Sequence, residues 1–157
     1  MIAERTVRFE QTADALNHAC QFHTALSDFY LATSNTDKSE KVKLLLEYMA
    51  ENEKTLAQAI IDYQEQASTD VLYTWFPYTN DADILKLPKH EDGDLVQEPS
   101  DAIGLATKYS DELIQLFTEM SDYSDTAELK ELFDNLADMQ HQEKRKLSMN
   151  VDRLMDL

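Results

Sequence analysis

Four stretches of the chain carry apolar residues at helical spacing, and each stripe is broken near its middle by polar side chains. The first stripe reads Leu16, Cys20, His23, Ser27 and Tyr30, and the second Leu45, Met49, Glu53, Leu56, Ile60 and Tyr63. The third reads Ala106, Tyr109, Ser110, Leu113, Phe117 and Met120, and the fourth Leu132, Leu136, Gln140, Glu143, Leu147 and Val151. Recurrence every three or four residues marks an amphipathic helix. The pattern predicts helices over residues 4–34, 38–66, 100–122 and 126–156. Asp37 with Glu40, and Asp125 with Glu128, have the spacing of a capping box, and Ser100 after Pro99 is placed to cap the third helix. All three prolines, Pro77, Pro88 and Pro99, fall in one window with Gly93, so a connector of little regular structure is expected over about residues 67–99.

The pattern also repeats. A shift of 87 positions lays residues 15–60 on residues 102–147 without a gap, Ala15 on Ala102, Phe22 on Tyr109, Tyr30 on Phe117, Lys43 on Lys130 and Ile60 on Leu147. Each half reads as one helical hairpin, and two hairpins can bury their stripes only against each other. The short turns make neighbours within a hairpin antiparallel, and the long connector has room to cross the bundle. The expected fold is all-α: one domain over residues 1–157, a four-helix bundle of two repeated hairpins joined by a crossover between the second and third helices. In such a bundle His23, Glu53, Ser110, Gln140 and Glu143 stand at one height and should meet in a polar centre.

Composition narrows the partners. Acidic residues outnumber basic ones 31 to 14, a net charge of −17, which repels nucleic-acid phosphates and anionic membranes. The basic run Lys144-Arg145-Lys146 reads as a solvated helix face. Cys20 is the single cysteine and lies in an apolar stripe, which suits a structural thiol. With no basic-then-apolar leader and no apolar run of spanning length, a cytoplasmic location is expected.

The arrangement resembles the ferritin-like superfamily, and its rubrerythrin branch in particular. The resemblance rests on the topology, on the duplication, and on text such as Phe29-Tyr30 after the first-helix centre and Leu136-Ala137-Asp138 before the fourth. It implies a di-metal centre with one Glu from each of two helices and a Glu-x-x-His from each of the other two, donors that suit iron or manganese. At those positions this chain reads His23 and Ser110 for the single glutamates, Glu53-Lys54-Thr55-Leu56 for one pair and Gln140-His141-Gln142-Glu143 for the other. Only Glu53 keeps the ligand type.

Two readings of the centre follow. In the first, His23 pairs with Glu53, and Gln140 or Ser110 satisfies Glu143, since an unpartnered buried charge costs several kcal/mol. The chain is then a noncatalytic interaction, scaffold or regulatory protein with no cofactor, and a homodimer or an unidentified protein partner is expected. In the second, His23, Glu53 and Glu143 form a remodelled mononuclear site for iron, manganese or zinc, and the chain is a metal-dependent oxidoreductase or metal-binding protein. His18 and His141 lie off the inner stripes, and no nucleophile signature accompanies them. His90-Glu91-Asp92-Gly93-Asp94 lacks the spacing of a calcium hand and reads as a solvated turn. The aromatic run Tyr73, Trp75, Phe76 and Tyr78 either anchors the connector on the bundle or forms a contact surface for a second subunit.

Overall fold

The computed structural model describes the backbone of residues 7–80 and 86–155 and the side chains of residues 11–74 and 86–153. In chain order its elements are β1 (Val7–Gln11), α1 (Thr12–Ser34), α2 (Glu40–Gln66), α3 (Thr69–Leu72), β2 (Trp75–Asn80), a 3₁₀ helix (His90–Leu95), α4 (Pro99–Asp122) and α5 (Ala127–Met155). The apolar stripes turn inward as the spacing requires. Tyr30, Leu26, Leu46, Phe117, Leu116 and Phe133 are among the largest fully buried side chains, each stabilising the fold by about 1.5–3 kcal/mol through removal from water.

α1 packs along α2 and α4 along α5, and the hairpin turns occupy only residues 35–39 and 123–126. The direction of the hairpins follows from contacts at both ends. The Asn150 amide of α5 hydrogen-bonds the Tyr48 hydroxyl near the start of α2, while Ser68, just past the end of α2, donates to Glu128 at the start of α5 at 3.1 Å. α2 and α5 are therefore antiparallel, α2 and α4 are parallel, and the connector has to return along the bundle. A helical bundle of two antiparallel hairpins is the result.

Residues 7–11 and the connector depart from the sequence-based expectation, while residues 4–6 of the expected first helix lie outside the described residues. The first helix begins at Thr12 instead of residue 4, and Val7–Gln11 is a strand. It pairs antiparallel with β2, Val7 opposite Asn80 and Phe9 opposite Tyr78, with a bulge between Phe9 and Gln11. The Thr12 N–H continues this seam, donating to the Thr74 carbonyl at 3.2 Å. Pro77 fits here because a two-stranded ribbon consists only of edges, where a missing N–H is tolerated. The connector is thus more ordered than its prolines suggest: a helical turn, a strand and a 3₁₀ helix. The His90–Asp94 segment is also no freely solvated turn. Its Gly93 is buried, and the Gly93 carbonyl accepts from Lys38 Nζ at 3.0 Å. A Cβ on Gly93 would stand 2.7 Å from Thr33 Oγ1 and 3.3 Å from Thr33 Cγ2, on α1. Gly93→Ala is expected to cost about 1–3 kcal/mol in urea unfolding through this overlap, and Thr33→Ala in the same chain should return part of the loss.

The helix caps sit one or two residues from their expected places, because the oxygen that caps is the one that reaches the free N–H groups of the first turn. In α2 it is Ser39 Oγ, accepting from the Val42 N–H at 3.3 Å, and not Asp37. In α5 it is Thr126 Oγ1, accepting from the Leu129 N–H at 3.2 Å, and not Asp125. α4 starts on Pro99 itself, ahead of Ser100. There the Asp101 carboxylate accepts the N–H groups of Glu98 at 2.9 Å and Gln97 at 3.0 Å, bonds that hold its carboxyl below the usual range.

Candidate functional site

The polar interruptions meet inside the bundle, and they meet as pairs. His23 of α1 is wholly buried and its Nδ1 lies 2.5 Å from Glu53 Oε2 of α2, with Glu53 9% exposed. In the other hairpin the Gln140 amide of α5 donates to Ser110 Oγ of α4 at 3.1 Å, with Gln140 1% exposed. Both bonds span 30 positions in sequence. His23 and Ser110 are 87 apart, and so are Glu53 and Gln140, so the two bonds occupy corresponding places in the two halves. One is an imidazole with a carboxylate and the other is an amide with a hydroxyl.

Glu53, Ser110, Gln140 and Glu143 line one small cavity together with the apolar Met49 and Leu56. Its volume is about 20 Å³, room for a single water molecule. Leu56, where the resemblance implies an imidazole, is 2% exposed and presents only methyl groups. Glu143 does not take its bond from Gln140 or Ser110 as expected. Gln140 donates to Ser110 instead, and Glu143 turns to Lys146 one turn along α5, at 3.3 Å. Among the described residues no group of three or more His, Cys, Asp and Glu side chains is arranged to hold a metal ion, so Glu143 does not join His23 and Glu53 in a ligand triad.

The residues present do not fit a di-metal centre. Two divalent ions call for several carboxylates and imidazoles, whereas Ser110 and Gln140 bring an uncharged hydroxyl and an uncharged amide joined Nε2 to Oγ, Leu56 brings no donor, and His23 is bound to Glu53. What remains is a core network with three loose ends. His23 Nε2, Gln140 Oε1 and the Tyr30 hydroxyl are buried without a hydrogen-bond partner.

Tyr30 escaped the sequence reading, which counted it as an apolar member of the first stripe. Its ring is fully buried. Burial, with the charges of Glu53 and then Tyr109 adding to it, pushes its phenol well above the usual value. The hydroxyl is therefore neutral and unsatisfied. Position 117, its counterpart 87 residues on, is a phenylalanine. Tyr30→Phe is expected to stabilise the fold by about 1–3 kcal/mol, because it removes a buried polar group with no partner. A midpoint in urea that falls on this substitution would show that the hydroxyl is bonded in solution.

The remaining candidates lie away from the centre. His141 is exposed; His18 is half-buried, and burial lowers its pKa. Cys20 is also half-buried, its thiol within 3.7 Å of the Ala57 carbonyl and pushed up by burial, as suits a structural role. Of the basic run, Lys144 pairs with Asp111 of α4 at 2.5 Å, an exposed ion pair contributing about 0–1 kcal/mol. Tyr73 is 61% exposed. Trp75, Phe76 and Tyr78 lie on β2, and their side chains are outside the described residues. Among the described residues no helix is long and apolar enough to cross a membrane. No protein-family model matches this chain, and neither a curated protein nor a solved structure is similar to it.

Proposed function

We propose that this chain is a noncatalytic interaction, scaffold or regulatory module of ferritin-like architecture, in which the di-metal chamber has become a hydrogen-bonded core. One observation carries this reading: the four positions that should hold glutamates are joined in two corresponding pairs, His23 with Glu53 and Ser110 with Gln140. Of these four side chains only Glu53 brings a carboxylate, too little negative charge to hold two divalent ions. The parallel course of α2 and α4, which forces a long crossover, further supports the architecture, and so do the correspondences between positions 87 apart.

A module without a reactive centre works through its surface. We place it as a homodimer, a state supported by large apolar side chains left in solvent. Leu44 is 54% and Met149 61% exposed, and both lie at the end of the bundle where Tyr48 meets Asn150. The test is elemental analysis of protein purified without chelators, together with its mass in light scattering. Substoichiometric metal and the mass of a dimer are expected. A pair of iron ions per chain, with the absorption of an oxo-bridged centre, would overturn the noncatalytic reading, and a monomer mass would remove the dimer.

A further inference from the structure

The connector and α4 enclose a cleft in which three lysines come together. Lys86 and Lys89 of the connector and Lys108 of α4 line one cavity of about 360 Å³. None of the three ammonium groups has an acidic partner within ion-pair distance among the described residues. In a chain where acids outnumber bases 31 to 14, three unpaired cations around one cavity are conspicuous, because like charges repel and acids abound to neutralise them. Two acids, Asp92 and Glu112, share this wall with the three lysines. Asp92 accepts the Lys89 N–H at 2.8 Å at the start of the 3₁₀ helix, and Glu112 has an interaction of its own. Lys108 Nζ stands 5.5 Å from the centroid of the Tyr109 ring, which holds it at the cavity wall.

A second cavity continues from the first. It measures about 430 Å³, and Asp92, Lys108 and Tyr109 line both. Its walls mix apolar and polar groups: Leu95 is 73% exposed, Val96 is buried and Leu105 is packed at the edge of the core, with Ser100 and Asp101 beside them. A Cβ on Gly104 would meet nothing within 4 Å, so the cleft stays open along α4. Cavities of this size, apolar with a few convergent charges, are the usual form of a small-molecule site.

We propose that this cleft binds a free amphipathic anion. Its carboxylate or phosphate lies among Lys86, Lys89 and Lys108, and its apolar chain runs over Tyr109 to Leu95 and Leu105. Three ammonium groups supply charge-assisted hydrogen bonds to the head, and the exposed Leu95 side chain is covered by the tail. The net charge of −17 opposes an anionic membrane surface, which points to a soluble molecule. The site stands apart from the bundle centre and does not depend on how that centre is read.

The test is a titration of the ¹⁵N-labelled full chain with octanoate and with octyl phosphate, followed at the amide signals of Gly104, Leu105 and Lys108. Saturable shifts are expected with at least one of the two anions, and the tighter one identifies the head group. Octyltrimethylammonium, with the same tail and the opposite charge, should leave these signals in place. Lys108→Gln is expected to weaken binding by roughly tenfold, the loss of one charge-assisted contact, with the melting temperature unchanged. Leu95→Ser should weaken both anions alike. The proposal fails if neither anion gives saturable shifts at millimolar concentration, or if the cationic amphiphile shifts the same signals equally. It fails too if Lys86→Gln, Lys89→Gln and Lys108→Gln combined leave the affinity intact.

Discussion

Glu53→Ala is expected to lower stability by about 3–5 kcal/mol, the cost of breaking a buried imidazole–carboxylate contact from one side, and to shift the melting temperature by roughly 10 °C for a chain of this size. The loss has a specific source. His23 is wholly buried with Nε2 already unpartnered, so removing Glu53 would leave both ring nitrogens without a bond in a dry interior. The other hairpin supplies a better replacement than alanine. His23→Ser with Glu53→Gln would copy into the first hairpin the hydroxyl and amide that bond at 3.1 Å in the second. This double variant should lose less than Glu53→Ala alone, although it changes two buried residues. Urea unfolding of the two single variants and the double gives the coupling energy directly. Strictly additive losses would show that the transplanted groups do not bond.

The second large effect comes from rebuilding the centre. His23→Glu, Leu56→His, Ser110→Glu, Gln140→Glu and Glu143→His together with the native Glu53 would give four carboxylates and two imidazoles in one chamber. Without metal the variant should be markedly less stable than the parent, because clustered carboxylates in a poorly hydrated space repel one another. Added iron(II) or manganese should then raise its melting temperature, since a ligand that binds only the folded state stabilises it, by about 2.7 kcal/mol at a hundred times its dissociation constant. The cavity now holds about 20 Å³, so part of the response depends on the new side chains displacing Leu56 and its neighbours. Missing outer hydrogen bonds weaken such a site by roughly 10–100-fold per contact, which leaves millimolar metal a sufficient probe. A folded variant indifferent to metal would mean that these positions do not converge as ferritin-like ligands do, and the proposed architecture would fall with it.

Helical periodicity made most of the fold legible. The second, third and fourth long helices begin and end within two residues of their expected limits, because a three-to-four spacing sustained over six turns admits no other element. β1 was not legible for the opposite reason. Val7-Arg8-Phe9-Glu10 alternates as a strand does, but over too short a span to stand against the helix that follows. Its partner β2, moreover, lies in the proline window. At the centre, register predicted which residues would converge, since antiparallel helices of equal pitch bring equal heights together. It did not predict who bonds to whom. Gln140 and Glu143 share one face of α5 a turn apart, and Lys146 stands a further turn on. The choice among them depends on side-chain reach, which spacing does not encode. The lysine cleft was invisible for a related reason: Lys86 and Lys89 meet Lys108 only because the connector is folded back along α4.

The parallel course of α2 and α4 also divides the contacts of the molecule into near and far in sequence. α1 with α2, and α4 with α5, close over turns of a few residues, so each hairpin forms through contacts near in sequence and at small loop-closure cost. Contacts between the hairpins, such as Tyr48 with Asn150 across 102 positions, close the longest loops and cost the most chain entropy. A hairpin apart from its partner would carry an uncovered apolar face that fits the other hairpin of a second molecule as well as its own. The buckle of Gly93 against Thr33 and the Lys38 bond to the Gly93 carbonyl tie the connector to the first hairpin, shortening the tether on the second. That tether raises the effective concentration of the correct partner, and in doing so it guards a crowded solution of half-folded chains against exchanging hairpins.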